Sequence, residues 1–265
     1  MQFEAMLGIG IAGNFAHHLE QAGEIEDFLD IITNDPNAPK GIFPFYVPNS
    51  ECFLGRCPIA NEVLTLPKGE DAQVEPEIVL LCDISYGEDM QVVRLEPKAF
   101  STFNDCTIRK EGAKKISYKK NWSNDSKGIA KKWIKIDKFS HGGVMDNYHL
   151  CSYLLRDKIL HPYGVDAPLL GYGYFYEKLI VWLIEKLNNQ KDFGPLEDLS
   201  LHLKNANYPT KALVCIGATA YSDFGENNYL AEKDEIYVVA YDKRVDNSDL
   251  TPSDTKIILR QVVQN

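Results

Sequence analysis

No lysine or arginine precedes Lys40. The apolar run Ala5 to Ala12 therefore has no positive flank in front of it and does not read as a secretory leader. No uncharged apolar stretch reaches the length of a membrane span. The best candidate, Tyr172 to Leu187, is interrupted by Glu177, Lys178, Glu185 and Lys186. The expectation is a cytoplasmic protein whose six cysteines (Cys52, Cys57, Cys82, Cys106, Cys151 and Cys215) are mostly reduced thiols. Cys52 and Cys57 are near neighbours, but no second cysteine pair and no paired histidines complete a zinc pattern. A Gly-x-Ser-x-Gly elbow and a His-Glu-x-x-His helix are both missing, which counts against serine hydrolases and zincins. Ser126-Lys127-Gly128 lacks the glycine spacing of a Walker A loop. Net positive charge is lacking too: 28 Lys+Arg against 38 Asp+Glu leave a net charge of -10. Nucleic acid and anionic membrane surfaces are therefore not expected partners, since both call for a basic face.

What is present is an ordinary globular composition, 265 residues with 45% hydrophobic and 25% charged side chains, long enough to bury a full core. Short apolar runs predict strands at Phe3–Ala12, Gly41–Val47, Glu62–Leu66, Ile78–Ile84, Gln91–Leu95, Ala212–Ala218, Asp234–Tyr241 and Thr255–Val263, the fourth and fifth joined as a hairpin. Asn14 is placed to cap a helix running to Ala22. Apolar residues at helical spacing predict helices over Asn147–Leu160 and Tyr172–Asn188, with a third over Pro195–Lys204. Arg109 to Lys138 is basic, eleven Lys/Arg against three acids, without strong period, and reads as loop with short strands. Strands and helices do not alternate, so a mixed α+β, β-rich fold is expected rather than a doubly wound sheet. Nothing divides the chain, and a single domain over 1–265 is expected.

Five local features can carry chemistry. Glu75-Pro76-Glu77 precedes an apolar strand, and residues two apart on extended chain point to the same side. Two carboxylates held together repel unless a cation or proton lies between them. Oxygen-only ligands suit Mg²⁺, Mn²⁺ or Ca²⁺; a solvated acidic turn is the plain alternative. Asp105, among apolar and small neighbours, needs a partner if buried, and Arg109 is one local candidate. Lys127, between Ser126 and Gly128, can approach an anion closely, while the neighbouring lysines read mostly as a solvated face. His17 and His18 offer a candidate general base, and His17 lies one helical turn from Glu20. Ile216-Gly217-Ala218-Thr219-Ala220 leaves a strand as a small-residue loop that can present backbone N–H groups to a ligand carboxylate.

In order and separation these features resemble the fumarylacetoacetate hydrolase superfamily over most of the chain. Gly13-Asn14-Phe15-Ala16-His17-His18 is similar to the family's opening strand and histidine-bearing helix. Glu75-x-Glu77 is similar to its Glu-x-Glu, and Asn104-Asp105-Cys106-Thr107-Ile108-Arg109 to its Asn-Asp-Val-Ser/Thr-Ala-Arg. Ser126-Lys127-Gly128 is similar to its lysine step, and Ile216 to Thr219 with Lys233-Asp234-Glu235-Ile236 to its late loop and strand. The resemblance implies a mixed β-sandwich roll, usually a homodimer, with a helical insertion at about 139–205. It implies metal ligands Glu75, Glu77 and Asp105. It also implies catalytic His18, Glu20 and Lys127, and substrate contacts from Arg109, Lys127, Gly217, Ala218 and Thr219. The chain departs from the pattern where Gln21 replaces the lid glutamate, Lys110 replaces the acid after the arginine, and Ala218 and Thr219 replace the late loop's threonine and proline.

The implied activity is a Mg²⁺-dependent (or Mn²⁺-dependent) hydrolase or lyase of a small oxo-acid or diketo-acid, working through a metal-stabilised enolate by C–C cleavage, decarboxylation or hydration. Ca²⁺ would also suit such a site in a crystal. The competing reading is a non-catalytic protein of the same fold that binds a metabolite or protein through the helical insertion. A third, anion binding by Arg109–Lys138, predicts steep salt dependence.

Overall fold

The computed structural model describes residues 3–33, 35–110, 112–245 and 250–265. The chain opens with β1 (Leu7–Ala12), a one-turn α1 (His18–Gln21) and β2 (Gly41–Tyr46). Short strands β3 (Ile59–Ala60), β4 (Val63–Thr65) and β5 (Ala72–Gln73) lead to the long pair β6 (Pro76–Tyr86) and β7 (Val92–Asn104). Then come β8 (Thr107–Ile108), β9 (Lys127–Ile129), β10 (Ile134–Lys135), β11 (Tyr148–Arg156) and β12 (Ile159–Pro168). The remainder is α2 (Tyr176–Asn189), α3 (Leu199–Asn205), β13 (Lys211–Cys215), α4 (Asp223–Asn227), β14 (Glu235–Asp242) and β15 (Lys256–Gln264). The expected α+β, β-rich class holds.

Two sheets carry the fold. One has eight strands, in the order β2-β1-β13-β6-β7-β9-β3 with β10 attached to β7; the other has five, β12-β11-β14-β15-β4. Alternation along β6 shows how they share its residues. Ile78, Leu80 and Cys82 enter the main core between the sheets, with Phe100, Leu150, Leu154, Val238 and Leu259. Phe100 and Tyr148 meet edge to face across it with centroids 5.0 Å apart. Val79 turns the other way and joins Phe45, Phe103, Leu213 and Cys215 in a second cluster on the opposite face of the large sheet. Covered on both faces, β6 needs apolar residues at every position, which is why it reads as a continuous run. Glu75 and Glu77 share the parity of Val79, so they lie on the second face.

Three expectations are corrected. Asn147–Leu160 is not helical: β11 and β12 form an antiparallel hairpin with Arg156 opposite Ile159. The two turn residues, Asp157 and Lys158, both have positive φ (52° and 68°), a primed turn built without the glycine that usually announces it. The segment read as a helical insertion thus begins as sheet, and its helices are α2 and α3. The helix from Asn14 shrinks to α1, whose N-cap position is His17 at φ 65° with no side-chain cap. Asn14 instead donates to Tyr174 O (3.0 Å) and Ile216 O (2.8 Å) and accepts from Tyr174 N (2.8 Å), pinning the end of β1 to two distant segments.

Gly8 to Gly13 spells G-x-G-x-x-G, the pattern of a dinucleotide loop, yet Gly8 and Gly10 lie within β1, hydrogen-bonded to β2 on one side and β13 on the other. A Cβ at Gly8 would sit 2.5 Å from the Phe45 ring, and one at Gly10 would sit 2.4 Å from the Phe43 ring. These glycines make room for aromatic rings, not for a phosphate. No helix among the described residues is long and apolar enough to cross a membrane.

Candidate functional site

Glu75, Glu77 and Asp105 converge: one carboxylate oxygen from each lies within 4.8 Å of the others, and all three residues are buried. The backbone dictates this. Glu77 is paired with Phe103 and Pro76 with Asn104 across β6 and β7, and the Asp105 amide donates to Glu75 O at 2.9 Å. Three carboxylates therefore meet where two paired strands end. Asn104 points the other way, accepting from the Glu75 amide (3.3 Å) and donating to Gln261 Oε1 (3.0 Å), a tie to the second sheet. Gly128 is required by the same tie, because a Cβ there would come within 2.3 Å of the Gln261 amide.

Cations enclose two of the three carboxylates. Lys120 Nζ donates to Glu75 Oε2 (2.8 Å), Asp105 Oδ2 (2.6 Å) and Thr107 Oγ1 (2.6 Å). Lys127 Nζ lies 3.1 Å from Asp105 Oδ1 and also donates to the Cys106 carbonyl. Arg109 reaches Glu75 Oε1 (2.9 Å), Glu24 Oε1 (3.1 Å), Gln73 Oε1 (2.6 Å) and Tyr221 Oη (2.6 Å). Lys119 adds ion pairs to Glu24 (2.7 Å) and Asp27 (3.2 Å). Asp105 is thus buried with partners, but these are Lys120 and Lys127, while Arg109 serves Glu75 and Glu24.

Glu77 has a different surrounding. It accepts the Gly217 amide at 2.8 Å, and among the described residues it makes no ion pair. Burial and the nearby Asp105 charge push its carboxyl well above the usual range. Burial acts on Glu75 in the same direction, but Lys120 and Arg109 outweigh it and hold that carboxyl well below the usual range. Burial drives Lys127 downward, with the Asp105 charge opposing it.

The other expected residues separate into two groups. His18 is buried, its Nε2 3.8 Å from Glu75 Oε1 and its ring 5.2 Å from the Tyr221 ring. Glu20 is not brought to the cluster; it is exposed and pairs with His17 at 3.4 Å. In the late loop the Gly217 amide is taken by Glu77 and the Thr219 amide donates to Pro76 O (3.2 Å), while the buried Thr219 hydroxyl has no hydrogen-bond partner. Ala218 is buried between them. Gln21 accepts from the Tyr221 amide (2.8 Å) and so fastens α1 over the site. Lys110 is outside, paired with Glu70 at 2.7 Å. A cleft of about 660 Å³, lined by Gln21, Glu24, Gln73, Arg109, Lys119 and Glu226 among others, lies on the Arg109 side of the cluster, and none of the three carboxylates lines it.

Sequence reasoning missed Lys119, Lys120 and Glu24. By sequence the lysines around Lys127 read mostly as a solvated face, yet Lys119 and Lys120 are 3% and 2% exposed. One signal was available: a buried carboxylate cluster needs cations, and Arg109–Lys138 is where the chain holds its surplus.

The donor set fits a divalent ion in chemistry, being all oxygen, and in spacing, with one oxygen of each buried carboxylate within 4.8 Å of the others; Glu75 Oε1 and Asp105 Oδ1 meanwhile face Arg109 and Lys127. The side of the cluster between Glu75 and Asp105 is shared with the Lys120 ammonium.

The family of unknown function DUF5718 matches residues 24–256. No curated protein matches the chain by sequence. Solved structures match throughout. A fumarylacetoacetate isomerase/hydrolase-like protein from Oleispira antarctica superimposes with TM-score 0.57 at 13% identity, covering 98% of this chain and 93% of its own. A 2-keto-3-deoxy-D-arabinonate dehydratase complexed with magnesium and 2,5-dioxopentanoate gives TM-score 0.53 at 14% identity, covering 98% and 73%. A 5-carboxymethyl-2-hydroxymuconate delta-isomerase from Mycobacterium smegmatis gives 0.52 at 12%, covering 97% and 78%. At such identities the likeness is one of fold. The chain belongs to the DUF5718 family, and its architecture is that of the fumarylacetoacetate hydrolase fold.

Proposed function

We propose that this chain is a divalent-metal-dependent hydrolase or lyase of a small oxo-acid or diketo-acid, acting through a stabilised enolate. The observation that carries the reading is the convergence of buried Glu75, Glu77 and Asp105 beside Lys127 and His18. The magnesium and dioxo-acid named for one structural neighbour support it. Glu75, Glu77 and Asp105 would hold the ion, which supplies a Lewis acid where enolate charge develops. Mg²⁺ is the expected metal.

The chain's own residues do the rest. Arg109, Lys110 and Lys119 line the cleft and give it the cations to meet an incoming carboxylate. Lys127, fixed between Asp105 and the Cys106 carbonyl, adds cationic character behind the carboxylates. His18 Nδ1 is buried without a hydrogen-bond partner, which leaves it able to exchange a proton with substrate or water. The buried Thr219 hydroxyl is a second unspent donor on the late loop. The same reading expects a cytoplasmic homodimer.

The test is calorimetric titration of Mg²⁺ into chelator-stripped protein and into Glu77→Gln, with oxalate added afterwards as an enolate mimic. Saturable binding that Glu77→Gln loses, and oxalate uptake that requires Mg²⁺, are expected. Absence of Mg²⁺ binding in the wild type, at concentrations up to millimolar, would remove the metal-dependent reading.

A further inference from the structure

Among the residues of this site that no motif announced, Lys120 occupies the most telling position. Its ammonium has three hydrogens and three acceptors, the Glu75 and Asp105 carboxylates and the Thr107 hydroxyl. Its side chain is 3% exposed, so no hydration remains to compete with them. The placement is rigid. The Lys120 amide donates to Ser117 O at 3.1 Å, and the next residue, Asn121, is clamped by donating to Phe45 O (2.9 Å) and Arg56 O (2.8 Å). The ammonium also lies 4.8 Å from the centroid of the Phe43 ring, closed in by an aromatic face. A long, flexible side chain at the surface wanders among partners; this one is aimed.

The ammonium bridges two of the three carboxylates that form the candidate metal-ligand set. One cation already joins the pair that a divalent ion would join. Glu75 faces Lys120, Arg109 and His18, and Asp105 faces Lys120 and Lys127, so both acids are compensated from within the chain. A divalent ion entering beside Lys120 would meet an ammonium already bonded to the same two carboxylates, and like charges at that range in a buried site are strongly unfavourable.

We propose that Lys120 is the resident counter-cation of the carboxylate cluster, and that its ammonium and a divalent ion are alternative occupants of the seat between Glu75 and Asp105. The metal-free protein is thereby a closed, charge-balanced state, and metal uptake requires Lys120 to leave. This rests on the reading of Glu75, Glu77 and Asp105 as metal ligands, and adds that the ligand set is internally occupied.

The experiment compares the chelator-stripped full chain with Lys120→Met, which keeps the apolar stem and removes the charge. Mg²⁺ alone is titrated by calorimetry, with Mn²⁺ as a second probe. The expected result is at least tenfold tighter binding in Lys120→Met, together with a larger rise in its melting temperature at saturating Mg²⁺. Equal affinity in the two proteins would overturn the shared seat while leaving the metal site standing. Binding in neither protein, with the variant folded, would overturn the ligand set itself and the shared seat with it. Should Lys120→Met fail to fold, the wild type still answers through NMR of its lysine side-chain nitrogens. A buried, triply bonded ammonium exchanges slowly and gives a resolved signal. Loss or displacement of that signal as Mg²⁺ saturates supports exchange of occupants, and a signal unmoved by bound Mg²⁺ overturns it.

Discussion

Glu75 and Glu77 are the same residue type, two positions apart at the start of β6 and both buried. Their electrostatic states are opposite. Lys120, Arg109 and His18 surround Glu75, and its carboxyl is held ionised. Glu77 has the Gly217 amide and the unfavourable neighbourhood of Asp105, and its carboxyl is pushed toward the neutral form. Burial penalises both equally in kind; what separates them is which one the cations reach. The pair therefore has one half that needs no metal and one half that a cation would relieve.

The largest expected break is Arg109→Met. It strips the guanidinium from Glu75 and Glu24 at once, leaving buried carboxylates short of a cation, and should cost about 3–5 kcal/mol of unfolding free energy by chemical denaturation. The sharpest test of the contrast follows from matched amide substitutions without divalent ions. Glu75→Gln should destabilise by about 3 kcal/mol, since it leaves Lys120 and Arg109 short of an anion. Glu77→Gln should leave stability at neutral pH unchanged or raise it by about 1 kcal/mol, since it removes an unpaired buried acid. Two losses of similar size would show that the halves are not distinct.

The smallest effect is a pH dependence at Glu24. Burial raises its carboxyl, but Arg109 and Lys119 prevail, so its folded value is below the ordinary 4.5. The unfolded chain then takes up the proton first. The stabilisation is present above pH 4.5 and is lost as pH falls through the folded value. Stability measured across acid pH should fall less steeply in Glu24→Gln than in the wild type, and identical slopes would show that the Glu24 pairs contribute nothing.

Much of the fold was legible. The runs at Ile78–Ile84 and Ala212–Ala218 are central strands β6 and β13, paired antiparallel, and the helical spacing after Tyr172 is α2. The hairpin at Asp157-Lys158 was not, because two non-glycine residues adopt positive φ there, and the apolar positions of β11 also fit a helical period. The one-turn α1 was overextended because Asn14 spends its side chain on Tyr174 and Ile216 rather than on a cap. In the site, Glu75 and Glu77 were readable because a two-residue period puts them on one side, and Asp105 through the resemblance of Asn104–Arg109 to a family motif.

Local pattern, then, determined by itself the central strands such as β6 and β13, the shared face of Glu75 and Glu77, and a surplus of positive charge between Arg109 and Lys138. Only the tertiary structure decided where that charge went. Lys120 meets Glu75 across 45 residues of sequence and Lys119 meets Glu24 across 95, while Glu20, beside His18 in sequence, is left in solvent. Such pairings have no period to betray them. They arise because buried carboxylates must be neutralised by whichever cations the folded backbone brings within reach.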